Sequence, residues 1–261
     1  MHHPSESFTV ASSNLLLDAS IVPWDSAIYQ FPIAAIRNIQ ILNPNVSVHD
    51  CAGFDDWLNA HHCQMVSCRL AHKQLRESFF LENYGFRFIE MVLHPVLEGL
   101  ENLTISDQGL SVMPATPSDL GSILKIAESA FTNERFYIDP RLPRNCSHQR
   151  YGRWARSALD HPQQKLLKIV DDDTLVAFFV VEEVDTQSAY WHLTAVSPDH
   201  HGKGYGYRTW LSVLRHHQET GLRRVRTSIS ARNSAVLNLY SKLNFRFEPP
   251  EMTFHWIRNE A

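Results

Sequence analysis

Val196-Ser197-Pro198-Asp199-His200-His201-Gly202-Lys203-Gly204-Tyr205-Gly206 joins a run rich in strand-forming residues to an amphipathic helical pattern. Glycines at alternate positions leave successive backbone N–H groups unobstructed, and a helix N-terminus adds positive potential, so the turn suits a phosphate or pyrophosphate. Lys203 supplies a full positive charge beside it. A dinucleotide fold needs G-x-G-x-x-G, and a phosphate-binding P-loop needs Gly-Lys followed by Ser or Thr. Here the spacing is G-x-G-x-G with Lys203 before Gly204, so both nucleotide readings fail.

Outward from this turn the periodicity predicts a mixed α/β domain. Three extended segments at 166–170, 175–184 and 189–196 are separated by short turns, Asp171-Asp172-Asp173 and Asp185-Thr186-Gln187, which makes them antiparallel neighbours. Behind them lie a helix over 204–220, a strand over 224–230, a helix over 234–243 and a strand from Phe245. Ahead of them a strand at 111–115 leads into a helix begun by Thr116-Pro117-Ser118-Asp119, where Thr caps, Pro fits the first turn and Asp suits the dipole. A loop over 133–146 then precedes a helix through Trp154 to Leu159. Before residue 108 the pattern reads as extended segments, helices at 50–60 and 73–83, and strands at 64–70 and 87–94. Pro95 is expected to end the last of these, with 96–108 as a link. The expected division is a domain over 1–108 and a second over 109–261.

Leu81-Glu82-Asn83-Tyr84-Gly85-Phe86-Arg87-Phe88 can be laid on Tyr240-Ser241-Lys242-Leu243-Asn244-Phe245-Arg246-Phe247. Each reads as a helix end, a left-handed stop at Gly85 or Asn244 and a strand start. The first domain is thus expected to be a degraded copy of the second, with Leu81 in the place of Tyr240.

The glycine turn and Asn233-Ser234-Ala235-Val236-Leu237-Asn238-Leu239-Tyr240-Ser241-Lys242-Leu243-Asn244-Phe245 together resemble the GNAT superfamily of acyl-CoA-dependent N-acetyltransferases. Gly204 and Gly206 match its pyrophosphate-binding glycines, and His201 stands where Arg or Gln is usual. The resemblance implies a mixed, mostly antiparallel sheet flanked by helices, α/β in class, with the first domain a degenerate GNAT-like unit. It implies acetyl-CoA as co-substrate, held by Ala195, Val196, His201, Gly202, Lys203, Gly204, Tyr205, Gly206 and Asn233. Trp24 to Tyr29, Tyr84-Gly85-Phe86, Ala130 to Phe136 and Tyr151 to Trp154 are also similar to the dTDP-fucosamine acetyltransferase group, which acylates the amine of a nucleotide-linked sugar.

Acyl transfer from a thioester to an amine needs a neutral amine, a polarised carbonyl and a proton for the departing thiolate. Tyr240 is the expected proton donor, since a phenol (about 10) outlasts a thiol (about 8.5) as an acid; Val236, Tyr240 and Leu243 also fit a core stripe. His192 is the expected base, with Glu182 or Glu183 as rivals, because imidazole titrates near neutrality. Counting by two, His192, Thr194 and Val196 share a face. Arg135, Phe136, Tyr151 and Glu182 are expected to bind the acceptor, arginine forks taking phosphates and aromatic faces a sugar or base ring.

Composition bounds the alternatives. In 261 residues, 24 Lys and Arg against 28 Asp and Glu leave a formal charge of −4, with no basic footprint for nucleic acid. A hydrophobic content of 44% supports a folded core rather than disorder. The N-terminus has no cationic stretch leading into a long apolar core, and the longest apolar run is only Leu175 to Val181, so neither a signal peptide nor a membrane span is expected. The expected location is cytoplasmic. Cysteines at 51, 63, 68 and 146 form no disulfide framework. Within His61-His62-Cys63, Cys68 and His72, the offset of five places the two thiols on opposite faces of a strand, so no metal is expected. His2, His3, His216 and His217 read as exposed and incidental. The expected partner is a small-molecule amine, most simply a nucleotide sugar, with a homodimer as the possible assembly. Two other readings stay open: acetylation of a peptide or polyamine, and a non-catalytic acyl-CoA-binding sensor.

Overall fold

The structure is a computed structural model that describes residues 7–258, so His2 and His3 lie outside the described residues. It divides into two compact units, residues 1–92 with 249–261 and residues 93–248. The division therefore falls earlier than the expected boundary at 108, and the end of the chain returns to the first unit.

In the first unit β1 (Ser7–Ala11), β2 (Leu15–Ile21), α1 (Pro23–Tyr29), β3 (Ile33–Ile41), α2 (Ala52–Ala60), β4 (Met65–Ala71), α3 (Leu75–Tyr84) and the start of β5 (Arg87–Leu97) follow in order. β1, β2 and β3 form an antiparallel meander, and β3 then pairs parallel with β4 through the crossover that contains α2. Residues 251–257 of the C-terminal strand pair antiparallel with β4. Leu17, Ile36, Phe54, Leu81, Phe86 and Phe254 are among the residues that close the core, each at most 5% exposed. The buried Cys63 and Cys68 belong to this core and form no disulfide, and burial pushes Cys68 up to about 12. Among the described residues no cluster able to hold a metal ion is found.

The second unit contains β6 (Ser111–Pro114), α4 (Leu120–Ala130), α5 (Arg135–Ile138), α6 (Arg144–Ala158), β7 (Gln164–Asp171), β8 (Thr174–Glu183), β9 (Ser188–Val196), α7 (Tyr205–Glu219), β10 (Arg224–Thr227), β11 (Ile229–Ser230), α8 (Ser234–Lys242) and the start of β12 (Arg246–Ile257). β6 to β9 are successive antiparallel neighbours, β10 runs parallel to β9, and Val96 and Leu97 of β5 close the far side of β10. Pro95 does not end β5, and residues 96–108 are no free link. Leu97 and Leu100 are in the core, and Gln218 Nε2 donates to the carbonyls of Leu100 and Leu103 at 2.7 and 2.9 Å. The helices divide between two faces of the sheet. α7 and α8 cover a core of Phe179, Trp191, Trp210, Tyr240 and Phe245, while α4 and α6 cover Leu166, Phe178, Leu193 and Ala195. Thr116 caps the turn ahead of α4 as expected, and Asp119 does more than suit the dipole, since its carboxylate accepts from the Thr116 N–H in a reciprocal capping box.

His217 is not exposed. It is 3% accessible, and its Nε2 accepts from the Trp191 indole N–H at 2.9 Å, so the ring is neutral with its proton on Nδ1. Burial, and then the nearby His216 and Lys165, hold its pKa down to about 3. Between about pH 6.5 and 3 the unfolded chain therefore binds a proton that the folded chain refuses. Stability is complete above pH 6.5 and falls with falling pH by roughly 1.4 kcal/mol per pH unit through that window. Urea unfolding across pH 7 to 4 should show this slope in the native chain and a flatter one in His217→Gln; equal slopes would contradict the assignment.

Candidate active site

Parallel pairing of β9 with β10 stops at Trp191 opposite Thr227, yet β9 continues to Val196. Thr227 Oγ1 donates to the Trp191 carbonyl at 2.9 Å and closes the pair. β11 does not rejoin β9. Among the described residues, the β10 side of 193–196 therefore has no strand partner, and a strand edge is a ready template for the amides of an extended ligand. Ala195 and Val196 lie on this open edge.

One residue later the register changes. Val181 pairs with Trp191 but Val180 pairs with Leu193, so His192 is the extra residue of a β-bulge. A bulge breaks the two-residue alternation, and the expected shared face of His192, Thr194 and Val196 is therefore corrected. His192 lies with Glu182, Trp154 and Tyr190 on the α6 side: its Nε2 is 2.7 Å from the Glu182 carboxylate, and the Trp154 and Tyr190 ring centres are 5.8 and 4.9 Å away. Val196 belongs with Trp210 and Tyr240 to the opposite core, and the Thr194 side chain reaches the Tyr240 hydroxyl. A neutral His192 donating Nε2–H to Glu182 keeps the Nδ1 lone pair free to accept a proton. Glu183, the other rival, is ion-paired with Lys165.

Tyr240 is 1% exposed between Trp210 and Phe245. Burial raises its pKa, while the Trp210, Thr227 and Thr194 side chains around its hydroxyl pull the other way. Asn233 fixes its helix: the side-chain oxygen accepts from Val236 N at 3.3 Å, capping α8. At the far end Asn244 takes φ 61 and Phe245 N–H returns to the Tyr240 carbonyl at 3.0 Å.

Beyond Val196 the chain turns through Gly202 and Gly204, whose φ values of 73 and 81 belong to the region that disfavours side chains. Gly204 is the N-cap of α7 and no side chain caps that helix, so its leading amides have no partner within the helix. Gly206 differs: it is helical, and a Cβ there would meet Leu239 at an ordinary 3.7 Å. Three neighbours are committed to the protein. Lys203 Nζ donates to the Asp199 carbonyl at 2.8 Å, Tyr205 donates its hydroxyl to Asp171 at 2.6 Å, and His201 Nε2 lies 3.1 Å from the Val196 carbonyl. The Tyr205 hydroxyl is thus taken up by Asp171, and His201 occupies one carbonyl of the open edge.

The expected acceptor residues separate. Glu182 joins His192, but Phe136 and Tyr151 are 1% and 4% exposed and serve as core. Arg135 and Arg150 stack over the Phe136 ring at 4.7 and 4.6 Å, and Arg141 forks onto Asp139. The accessible aromatic surface beside His192 is instead Trp154, held by Gln164 at 3.3 Å, and Tyr190. Alternation along β9 could have found Tyr190; the pairing of Glu182 with His192 across a bulge has no signature in sequence.

A parallel strand pair that parts after a bulge, followed by a glycine turn into a helix, gives the second unit a GNAT fold. Residues 124–245, within the second unit, match the Acetyltransferase (GNAT) family, an N-acetyltransferase family that uses acetyl-CoA. The chain is also 22% identical over 149 residues to the spore coat polysaccharide biosynthesis protein SpsD of Bacillus subtilis (strain 168), a match covering 57% of this chain and 51% of that one. The chain thus spans about half the length of that curated relative. The fold is similar over almost the whole chain to solved structures. A GCN5-related N-acetyltransferase from Sphaerobacter thermophilus has TM-score 0.64 at 12% identity, covering 96% of this chain and 82% of that one. A tandem GNAT protein from the clavulanic acid biosynthesis pathway has TM-score 0.59 at 13% identity, covering 98% and 83%. Among the described residues no helix is long and apolar enough to cross a membrane.

Proposed function

We propose that the second unit transfers the acetyl group of acetyl-CoA to the primary amine of a nucleotide-linked amino sugar, by direct attack in a ternary complex. The observation that carries this reading is the bulge, because it places His192 and Tyr240 on opposite faces of one strand whose edge is open between them. The acceptor then comes from the Trp154 side and the thioester from the Tyr240 side. His192 Nδ1 accepts the amine proton, directly or through water, and the nitrogen lone pair attacks the thioester carbon. A backbone amide of β9 polarises the carbonyl oxygen. The C–S bond breaks, Tyr240 gives its proton to sulfur, and solvent restores the proton to Tyr240 as His192 releases its own.

A sugar acceptor is supported by the Trp154 and Tyr190 faces, which suit a ring, and by the likeness to a protein named for polysaccharide biosynthesis. The four free cysteines fit a cytoplasmic address. Thiol release from acetyl-CoA should be measured with dTDP-linked 4-amino-4,6-dideoxyhexoses beside peptide and polyamine acceptors. Turnover confined to the nucleotide sugars is expected. Turnover only with polycations would replace the acceptor, and CoA binding without turnover on any amine would favour the sensor, for which His201 on the Val196 carbonyl is the specific support.

We propose further that the first unit is a degenerate copy without a cofactor site. Its parallel pair also ends just before a bulge: Ile36 opposite Cys68 closes the pair, and Arg37 takes the place of His192. Phe86 N–H returns to the Leu81 carbonyl at 2.9 Å past Gly85 at φ 107, as Phe245 returns to Tyr240. The open edge, however, is filled by its own side chains. Gln74 bridges the parting strands, donating to the Ile39 carbonyl at 3.3 Å and accepting from Ala71 N at 2.9 Å, and Glu77 accepts from Ile41 N at 3.1 Å. Residues 42–52 contain no glycine and place the Asp50 carboxylate in a capping box ahead of α2, where an anion would be repelled.

A further inference from the structure

The Trp210 side chain carries a donor that bears on the Tyr240 hydroxyl without completing a hydrogen bond to it. Its indole nitrogen is shielded from solvent and has no hydrogen-bond partner, although Trp210 is only 2% exposed. Buried donors without partners are rare, and each calls for a reason. The indole is held on one side by Phe179, with ring centres 4.9 Å apart, and by Trp191 at 6.5 Å. It also meets Tyr240 edge to face at 6.4 Å and 69°, and its N–H is among the groups that lower the pKa of the phenol. Thr194, carried to this face by the bulge, approaches the same oxygen. Thr227 also reaches it but has already given its own proton to the Trp191 carbonyl.

An indole N–H can donate and cannot accept. It therefore cannot take the Tyr240 proton; it can only give a hydrogen bond to the phenol oxygen, and most strongly when that oxygen is negative. We propose that Trp210 is a positioning residue for Tyr240, its N–H held in reserve, with the Thr194 hydroxyl, for the phenolate that remains when Tyr240 protonates the departing thiolate. This rests on the reading of Tyr240 as the acid. It also orients the neutral phenol, because a proton repelled by the indole N–H points elsewhere in the slot. The bland alternative is that Trp210 merely fills the core and its N–H is a by-product of packing.

Trp210→Phe keeps an aromatic ring and removes the donor; Thr194→Val removes the second donor and tests the same point if the first variant fails to fold. The expected result is a loss of roughly tenfold in kcat with the KM for acetyl-CoA unchanged. The ionisation midpoint of Tyr240, followed by NMR of ring-13C tyrosine with Tyr240→Phe as the assignment control, should move further up. In the Tyr240→Phe background neither variant should lower the rate again. Unchanged kcat and midpoint in both variants, while Tyr240→Phe is impaired, would overturn the inference and leave the acid in place. An equal loss in both backgrounds would overturn it in favour of packing. A fully active Tyr240→Phe would instead remove the reading on which it rests.

Discussion

Tyr240→Phe is expected to lower kcat for acetyl transfer by roughly 10²-fold while leaving acetyl-CoA affinity close to that of the native chain. The phenyl ring retains the packing against Trp210 and Phe245, so the fold should persist. Only the proton is lost. A phenol raised by burial stays protonated through the neutral range and so is always ready to donate, while the thiolate it serves would otherwise leave uncapped. Steady-state thiol release, with kcat and KM separated, checks this. A rise in KM alone would make Tyr240 a binding group, and an unchanged kcat would mean that the thiolate departs unassisted.

Gly204→Val should raise the dissociation constant for CoA by at least about tenfold. Space is not the obstacle, since a Cβ at Gly204 would meet nothing within 4 Å. The obstacle is the backbone: at φ 81 a β-branched residue is strained by about 1–3 kcal/mol, and relief comes only by turning the peptide planes of the cradle. The leading amides of α7 then no longer converge on one anion. Gly206→Ala is the matched control, because Gly206 is helical and a methyl group there makes only ordinary contact with Leu239. Equilibrium binding of CoA to both variants should separate them, and equal weakening would show that bulk rather than backbone matters.

Much of this was legible in the residues. The glycine turn, the three-strand meander around Asp171-Asp172-Asp173, the Thr116 cap and the left-handed stops at Gly85 and Asn244 are all local, and each depends on a residue type with a particular backbone preference. What escaped was non-local. No Gly or Pro marks the bulge at His192, so counting by two carried the wrong side chains to each face. Pro95 lies inside β5, and the pairing of 251–257 with β4 joins residues nearly two hundred apart in sequence. Phe136 and Tyr151 stand beside arginines in sequence and look like a ligand surface, and only packing shows that they are core. Gln74 and Glu77 are polar residues near the start of a helix, with nothing to announce that they fill a strand edge.

The most direct test of the account is hydrogen–deuterium exchange of the intact chain with and without CoA, alongside the binding stoichiometry. One CoA per chain is predicted, with slowed exchange confined to residues 193–196 and 202–207 and none at 38–41, where Gln74 and Glu77 already occupy the edge. Two CoA per chain, or protection in the first unit and none at the glycine turn, would contradict it.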